Sequence, residues 1–202
     1  MAVAHIVEPS PALTGQPPRK RWTRAECERL ERHGLIDGQR YELIEGDLID
    51  KMGKNQPHIV WLALIQVWFH GVFPGSVLAE ATMDVSPEDN PSSEPQPDLM
   101  VLRRPITSFL SQRPRATDVA LLLEVSDTSL TFDTGIKARL YARAGIADYW
   151  VVDINARRLI VFRDPDGGEY QTITDHAAHE QVRPLAASPA ALCLADILPT
   201  EN

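Results

Sequence analysis

Val119-Ala-Leu-Leu-Leu-Glu-Val-Ser126, followed by Asp127-Thr-Ser-Leu-Thr-Phe-Asp133 and then Lys137, is the stretch around which the 202-residue chain is organised. An apolar run this short and this continuous reads as a strand covered on both faces, as in a sheet sandwiched between other layers. One carboxylate, Glu124, interrupts it near its end. A buried carboxylate stays ionised only beside a cation, a basic side chain or several hydrogen-bond donors, so a metal ion or Lys137 is the partner to expect.

Downstream of that strand, residues 133–144 predict a helix closed by Gly145, with Ile136, Leu140 and Ala144 on one face. Asp133 suits its N-terminal end, where the helix dipole favours a negative charge. A strand over 148–153 follows, then a meander of 159–163 and 169–173 about the turn Asp164-Pro-Asp-Gly-Gly168, and a short helix around 190–198.

Upstream, 99–102 is a short apolar strand, and 103–117, broken by Pro105 and Pro114, is a connection with room for one helical turn. The proline-rich segment 86–97 is a long loop. Alternation of Val77, Ala79, Ala81, Met83 and Val85 with polar neighbours predicts a strand over 77–85. Residues 57–70 predict a core helix whose apolar surface includes Ile59, Trp61, Leu62, Leu64, Ile65, Trp68 and Phe69. Residues 40–50 read as a hairpin about Glu45-Gly46-Asp47. Thr23 and Glu26 form a capping box that opens a helix ended by Gly34, with Cys27 and Leu30 on one side. Residues 1–20, with Pro9, Pro11, Pro17 and Pro18 and no periodicity, are expected to be a flexible N-terminal arm, and 21–202 a single domain.

Composition bounds the function. Hydrophobic residues at 44% and charged residues at 24% are ordinary globular usage, which excludes a fibre or a disordered chain. No apolar run is long enough for a bilayer and no leader pattern opens the chain, so a soluble cytoplasmic protein is expected. Cys27 and Cys193 match no metal or redox spacing and are expected to be free. The formal charge of −8 weighs against a chain that grips phosphates over its whole surface. Basic residues still gather locally at Arg19-Lys-Arg21, Arg103-Arg104, Arg113 with Arg115, and Arg139 with Arg143.

Asp98 opens one short strand, Glu124 ends another, and Lys137 follows on the next helix. Carboxylates from adjacent strands can hold a hard divalent cation such as Mg²⁺, and the Val125 carbonyl could add a third oxygen. A neighbouring lysine could assist a water attacking phosphorus. Duller readings stand beside each of these. Asp98 could terminate a loop, Glu42 could face solvent on its hairpin, and Lys137 could merely neutralise Glu124 or Asp133, the latter at i, i+4. His58, near a helix start, reads as structural or surface before it reads as a ligand. Tyr149 and Trp150 read as core. Ser126 lacks a nucleophile-elbow setting and a histidine placed to serve it.

Pro97-Asp98, then Glu124, then Lys137 is the order of the PD-(D/E)XK nucleases, and the chain more narrowly resembles the Uma-type family of restriction-endonuclease-like proteins. The residues that carry the resemblance are Tyr41-Glu-Leu-Ile-Glu-Gly46, His58, Pro97-Asp-Leu-Met-Val101, Leu123-Glu-Val-Ser126, Asp133 with Lys137 and Tyr141, and Ala144-Gly-Ile-Ala-Asp-Tyr-Trp-Val-Val-Asp153. The resemblance implies an α/β, restriction-endonuclease-like core with a mixed β-sheet flanked by helices, and metal-dependent hydrolysis of DNA. It assigns Asp98 and Glu124 to Mg²⁺, with Mn²⁺ as a substitute, Lys137 to catalysis, and Glu42 as an additional acid. One departure is visible: Ser126 stands where a contiguous Glu-x-Lys would put the lysine, so that role passes to Lys137.

Two hypotheses follow, separable by metal-dependent nicking of DNA. One is a Mg²⁺-dependent endonuclease acting as a homodimer, because two copies of one site suit two strands. The other is a binding or regulatory module on the same fold. Acid/base work by two carboxylates alone would leave Lys137 without a task.

Overall fold

The computed structural model describes residues 19–38, 40–51, 55–187 and 189–198. The expected N-terminal arm, apart from Arg19 and Lys20, lies outside the described residues. The first helix, α1 (Arg24–Arg32), starts at the expected capping box: Thr23 Oγ1 accepts from the Glu26 N–H while the Glu26 carboxylate accepts from the Thr23 N–H. The predicted hairpin forms as β1 (Tyr41–Ile44) and β2 (Asp47–Asp50), with positive φ at both Glu45 and Gly46. Two left-handed residues in a two-residue turn match the twist of the strands they join.

Helix α2 (Gln56–Val72) is capped by Asn55, whose side chain accepts from the His58 N–H, and it buries Trp61, Leu62, Ile65 and Phe69. Ile59, expected on the core side, is 48% exposed, because the buried stripe runs through Leu62, Ile65 and Phe69 and Ile59 falls beside it.

β3 (Val77–Ala79), β4 (Leu99–Leu102), β5 (Val119–Ser126), β6 (Asp148–Asp153), β7 (Arg158–Asp166) and β8 (Glu169–Ala177) form one six-stranded sheet in that spatial order. Only β5 and β6 are parallel, which makes the sheet mixed. The strand expected over 77–85 ends at Ala79. Glu80 takes φ 50 and turns the chain, so Met83 and Val85 leave the ladder and join the core cluster that contains Tyr141 and Tyr149. The β7–β8 hairpin runs longer than expected, since pairing continues to Asp166 opposite Glu169 and the turn shrinks to Gly167-Gly168. Two 3-10 turns, Ile106–Phe109 and Ala116–Asp118, occupy the connection where one was expected.

Parallel neighbours need a crossover, and it is helical. α3 (Leu130–Phe132), a π turn (Asp133–Lys137) and α4 (Ala138–Arg143) run on without a break to Gly145. The helix therefore begins at Leu130 and not at Asp133, whose carboxylate caps no helix and instead accepts from the Ser126 and Ser129 hydroxyls. Towards the C-terminus, β9 (Gln181–Val182) pairs with β10 (Leu192–Cys193). That pairing draws Leu192 into extended backbone and confines the helix expected over 190–198 to α5 (Leu194–Ile197).

All of β5 is buried. Leu121, Leu123 and Val125 join the cluster containing α2 and Trp150, and Leu122 joins the one containing Leu140, Tyr141 and Tyr149 from the other side. Both cysteines are free, as expected. Among the described residues no helix is long and apolar enough to cross a membrane.

Candidate active site

The two-residue period of β5 puts Glu124 and Ser126 on the side that carries α3 and α4, and away from α2. Asp98 sits immediately before β4, where the β4–β5 ladder ends at Leu99 opposite Leu123. Beyond that rung the side chains take over. The Asp98 N–H donates to Glu124 Oε2 at 3.3 Å, and the Val125 N–H donates to Asp98 Oδ2 at 2.8 Å. Each carboxylate thus holds the other strand's backbone, which sets the two side by side.

Lys137 ends the π turn, a local underwinding of the helix of the kind that often marks functional positions. Its Nζ lies 2.9 Å from Glu124 Oε1 and 2.9 Å from Glu42 Oε1, with Asp133 Oδ1 at 3.9 Å. Glu42 comes from β1, and its other oxygen accepts from the Gln96 N–H at 3.1 Å. The hairpin therefore closes over the sheet end and delivers its acid to the lysine. From the opposite sheet face, α2 brings His58, whose Nε2 is 3.2 Å from Asp98 Oδ2. Glu42, Asp98, Glu124 and Lys137 are all buried and, with His58, Val125 and Asp133, line one pocket of about 190 Å³. The four predicted catalytic residues meet, Val125 joins them at the pocket wall, and His58 is inside the site and not on the surface.

The electrostatics follow from burial and charge count. Burial pushes the Glu124 carboxyl well above the ordinary glutamate range; Lys137 opposes this, while Asp98, Asp133 and Glu42 add to it. Burial works against the Lys137 ammonium, but Glu124, Glu42 and Asp133 more than offset it and hold its pKa well above the usual lysine value. Asp133 is likewise raised, chiefly by burial, against the pull of Lys137 and its two serine donors. Three acids thus crowd one amine, with Asp98 beside Glu124, and the cluster is short of positive charge.

Three supporting residues were not assigned to the site from sequence. The Tyr141 hydroxyl donates to Glu124 Oε1 at 3.0 Å, the Ser126 hydroxyl donates to Asp133 at 2.6 Å, and the Tyr149 hydroxyl donates to the Asp133 carbonyl at 2.9 Å. Tyr141 follows Lys137 by one helical turn and Ser126 follows Glu124 by two residues, so the helix and strand periods held that signal. Nothing local marked Tyr149, which the sequence places in the core.

The donor set suits a hard cation: carboxylate oxygens in a cluster short of positive charge. Among the described residues no group of three or more His, Cys, Asp or Glu side chains is arranged to hold a metal by itself. A cation here would rest on few protein ligands, a habit that fits Mg²⁺.

Comparison with known proteins agrees with this architecture. The model of a family described as "Uma2: Putative restriction endonuclease" matches residues 24–195, which bears out the resemblance drawn from the motifs. A crystal structure described as a "putative nuclease belonging to DUF820" from Anabaena variabilis superposes with a TM-score of 0.62 at 17% identity, covering 83% of this chain and 94% of that one. It shares the fold. No curated protein matches the chain.

Proposed function

The chain belongs to the Uma2 family, and from that premise and the convergence of Glu42, Asp98, Glu124 and Lys137 we propose that it is a metal-dependent endonuclease hydrolysing phosphodiester bonds of DNA. The observation that carries the reading is the Lys137 ammonium, held 2.9 Å from both Glu42 and Glu124 at the rim of a pocket walled by Asp98. A purely structural ion pair needs one acid. Here three acids surround the amine and Asp98 stands against Glu124, and the surplus of carboxylates is what a divalent cation would neutralise.

Asp98 and Glu124, with the Val125 carbonyl, would hold Mg²⁺ or Mn²⁺. The bound cation supplies Lewis-acid stabilisation of charge developing on the phosphate. The chain's own groups do the positioning. Mutual backbone bonds fix Asp98 against β5 and Glu124 against the residue before β4. Tyr141 holds Glu124 Oε1 on the side facing the lysine. Lys137, protonated because its pKa is raised, presents Nζ–H to the reacting phosphate or its attacking water as a charged donor. Glu42, itself fixed by the Gln96 N–H, holds that amine from the hairpin side. A homodimer would supply two such sites, one per DNA strand.

The test is purified protein with supercoiled DNA and Mg²⁺ or Mn²⁺. Nicking that requires the metal and disappears in Asp98→Ala and Glu124→Ala supports the proposal. Metal-independent binding without cutting would favour a binding module, a reading the net charge of −8 leaves open.

A further inference from the structure

The six-stranded sheet ends on one side at β8, which pairs only with β7. Gln171 to Asp175 are all exposed, a continuous run along a nine-residue strand. Apart from the β7 ladder, no backbone-to-backbone hydrogen bond among the described residues reaches Tyr170 to His176. A strand in that position presents a row of N–H and C=O groups to whatever can pair with them, and long edges of this kind are usually blunted by proline, a bulge or a covering loop. Tyr170 to His176 contains no proline.

We propose that β8 pairs antiparallel with β8 of a second copy of this chain, about a two-fold axis through Ile173. The occupant is inferred from how the strand reads against itself. Centring on Ile173 sets Thr172 opposite Thr174, Gln171 opposite Asp175, Tyr170 opposite His176 and Glu169 opposite Ala177. No two like charges face each other, although the strand carries both Glu169 and Asp175 and the whole chain carries −8. The apolar pattern agrees. Ile173 is 58% exposed and lies directly across from buried Phe162 of β7, so self-pairing carries the Phe162 face through Ile173 to the Ile173 of the second copy. The two sheets join into one, and each edge is closed by the other.

This names a surface for the homodimer proposed above, but it uses none of the site residues, so it stands or falls separately from hydrolysis. The experiment is sedimentation of the full chain over a range of concentrations, with Ile173→Lys and Ile173→Glu. The wild type is expected to dimerise. Each variant alone, placing like charges across the axis, is expected to weaken the dimer by at least about tenfold, and an equimolar mixture of the two to restore it. Circular dichroism melts check folding, which an exposed position should leave intact. Were either variant to misfold, amide exchange of the wild type decides: β8 amides gain protection as concentration rises if β8 is the interface. A wild type monomeric at every concentration, charge variants that dimerise unchanged, or β8 amides whose exchange ignores concentration would each overturn the pairing. Metal-dependent nicking unchanged in the Ile173 variants would leave the nuclease reading intact whatever the sedimentation shows.

Discussion

Lys137 is the residue on which the site's stability turns. Removing it strands Glu42 and Glu124 without their cation in the interior, so Lys137→Met is expected to lose about 3–5 kcal/mol near neutral pH, read from urea unfolding. The loss should shrink as pH falls, because protonation of Glu124 relieves it. The native lysine's own contribution has the opposite dependence: its folded pKa is raised, so its stabilisation is complete below the ordinary lysine range and disappears only as pH climbs through the folded value. Glu124 is also raised, chiefly by burial. The folded chain holds that proton more tightly than the unfolded chain does, so stability declines as pH rises from the usual glutamate range through the elevated one. Glu124→Gln should flatten the part of the profile above the ordinary glutamate range in thermal melts. An unchanged slope would mean that Glu124 binds its proton no more tightly in the folded chain than in the unfolded one. Among single residues, Glu124 was legible as soon as the apolar run was read, since a charge among Leu and Val needs a reason. Asp133 was legible as an acid but not in its role, because the serines that bind it depend on where the helix begins.

Two elements invite opposite substitutions. Gly46 closes the β1–β2 turn at φ 83, and a Cβ there would lie 3.0 Å from the Arg21 Cβ. Gly46→Ala is therefore expected to cost about 1–2 kcal/mol from the left-handed backbone alone, seen as a lower melting midpoint. Gly135 sits inside the π turn at an ordinary φ, and a Cβ there would meet nothing within 4 Å. Gly135→Ala should raise stability by roughly 0.5–1 kcal/mol by the same assay. The contrast shows which local rules transfer. Turn chemistry fixed the hairpin from Glu45 and Gly46 alone, and the capping box fixed the start of α1. The end of β3 was not readable, because the alternation of apolar residues continues through Val85 while the backbone reverses at Glu80. The π turn has no sequence code of its own; it arises where Lys137 must reach Glu124 and Glu42 while Leu140 and Tyr141 stay in the core.

At the scale of the molecule, an ion that binds the folded site and not the unfolded chain stabilises by mass action. Mn²⁺ at about a hundredfold excess over its Kd should therefore add roughly 2.7 kcal/mol. Because metal and proton compete for Glu124, the gain in melting midpoint should be larger at about pH 8 than at about pH 5 and absent in Asp98→Ala. Equal shifts in wild type and Asp98→Ala would move the ion elsewhere. The sequence by itself determined the buried central strand covered on both faces and the order of the acids and the lysine along the chain, since strand and helix periods and turn chemistry act over a few neighbouring residues. Only the tertiary structure decided that Glu42 closes over Lys137, that His58 reaches Asp98 from the far side of the sheet, and that Tyr141, Tyr149 and Ser126 hold the cluster together. Those contacts join different elements, and the Glu42–Lys137 and His58–Asp98 pairs lie dozens of positions apart, so whether they meet depends on how the layers pack about the sheet.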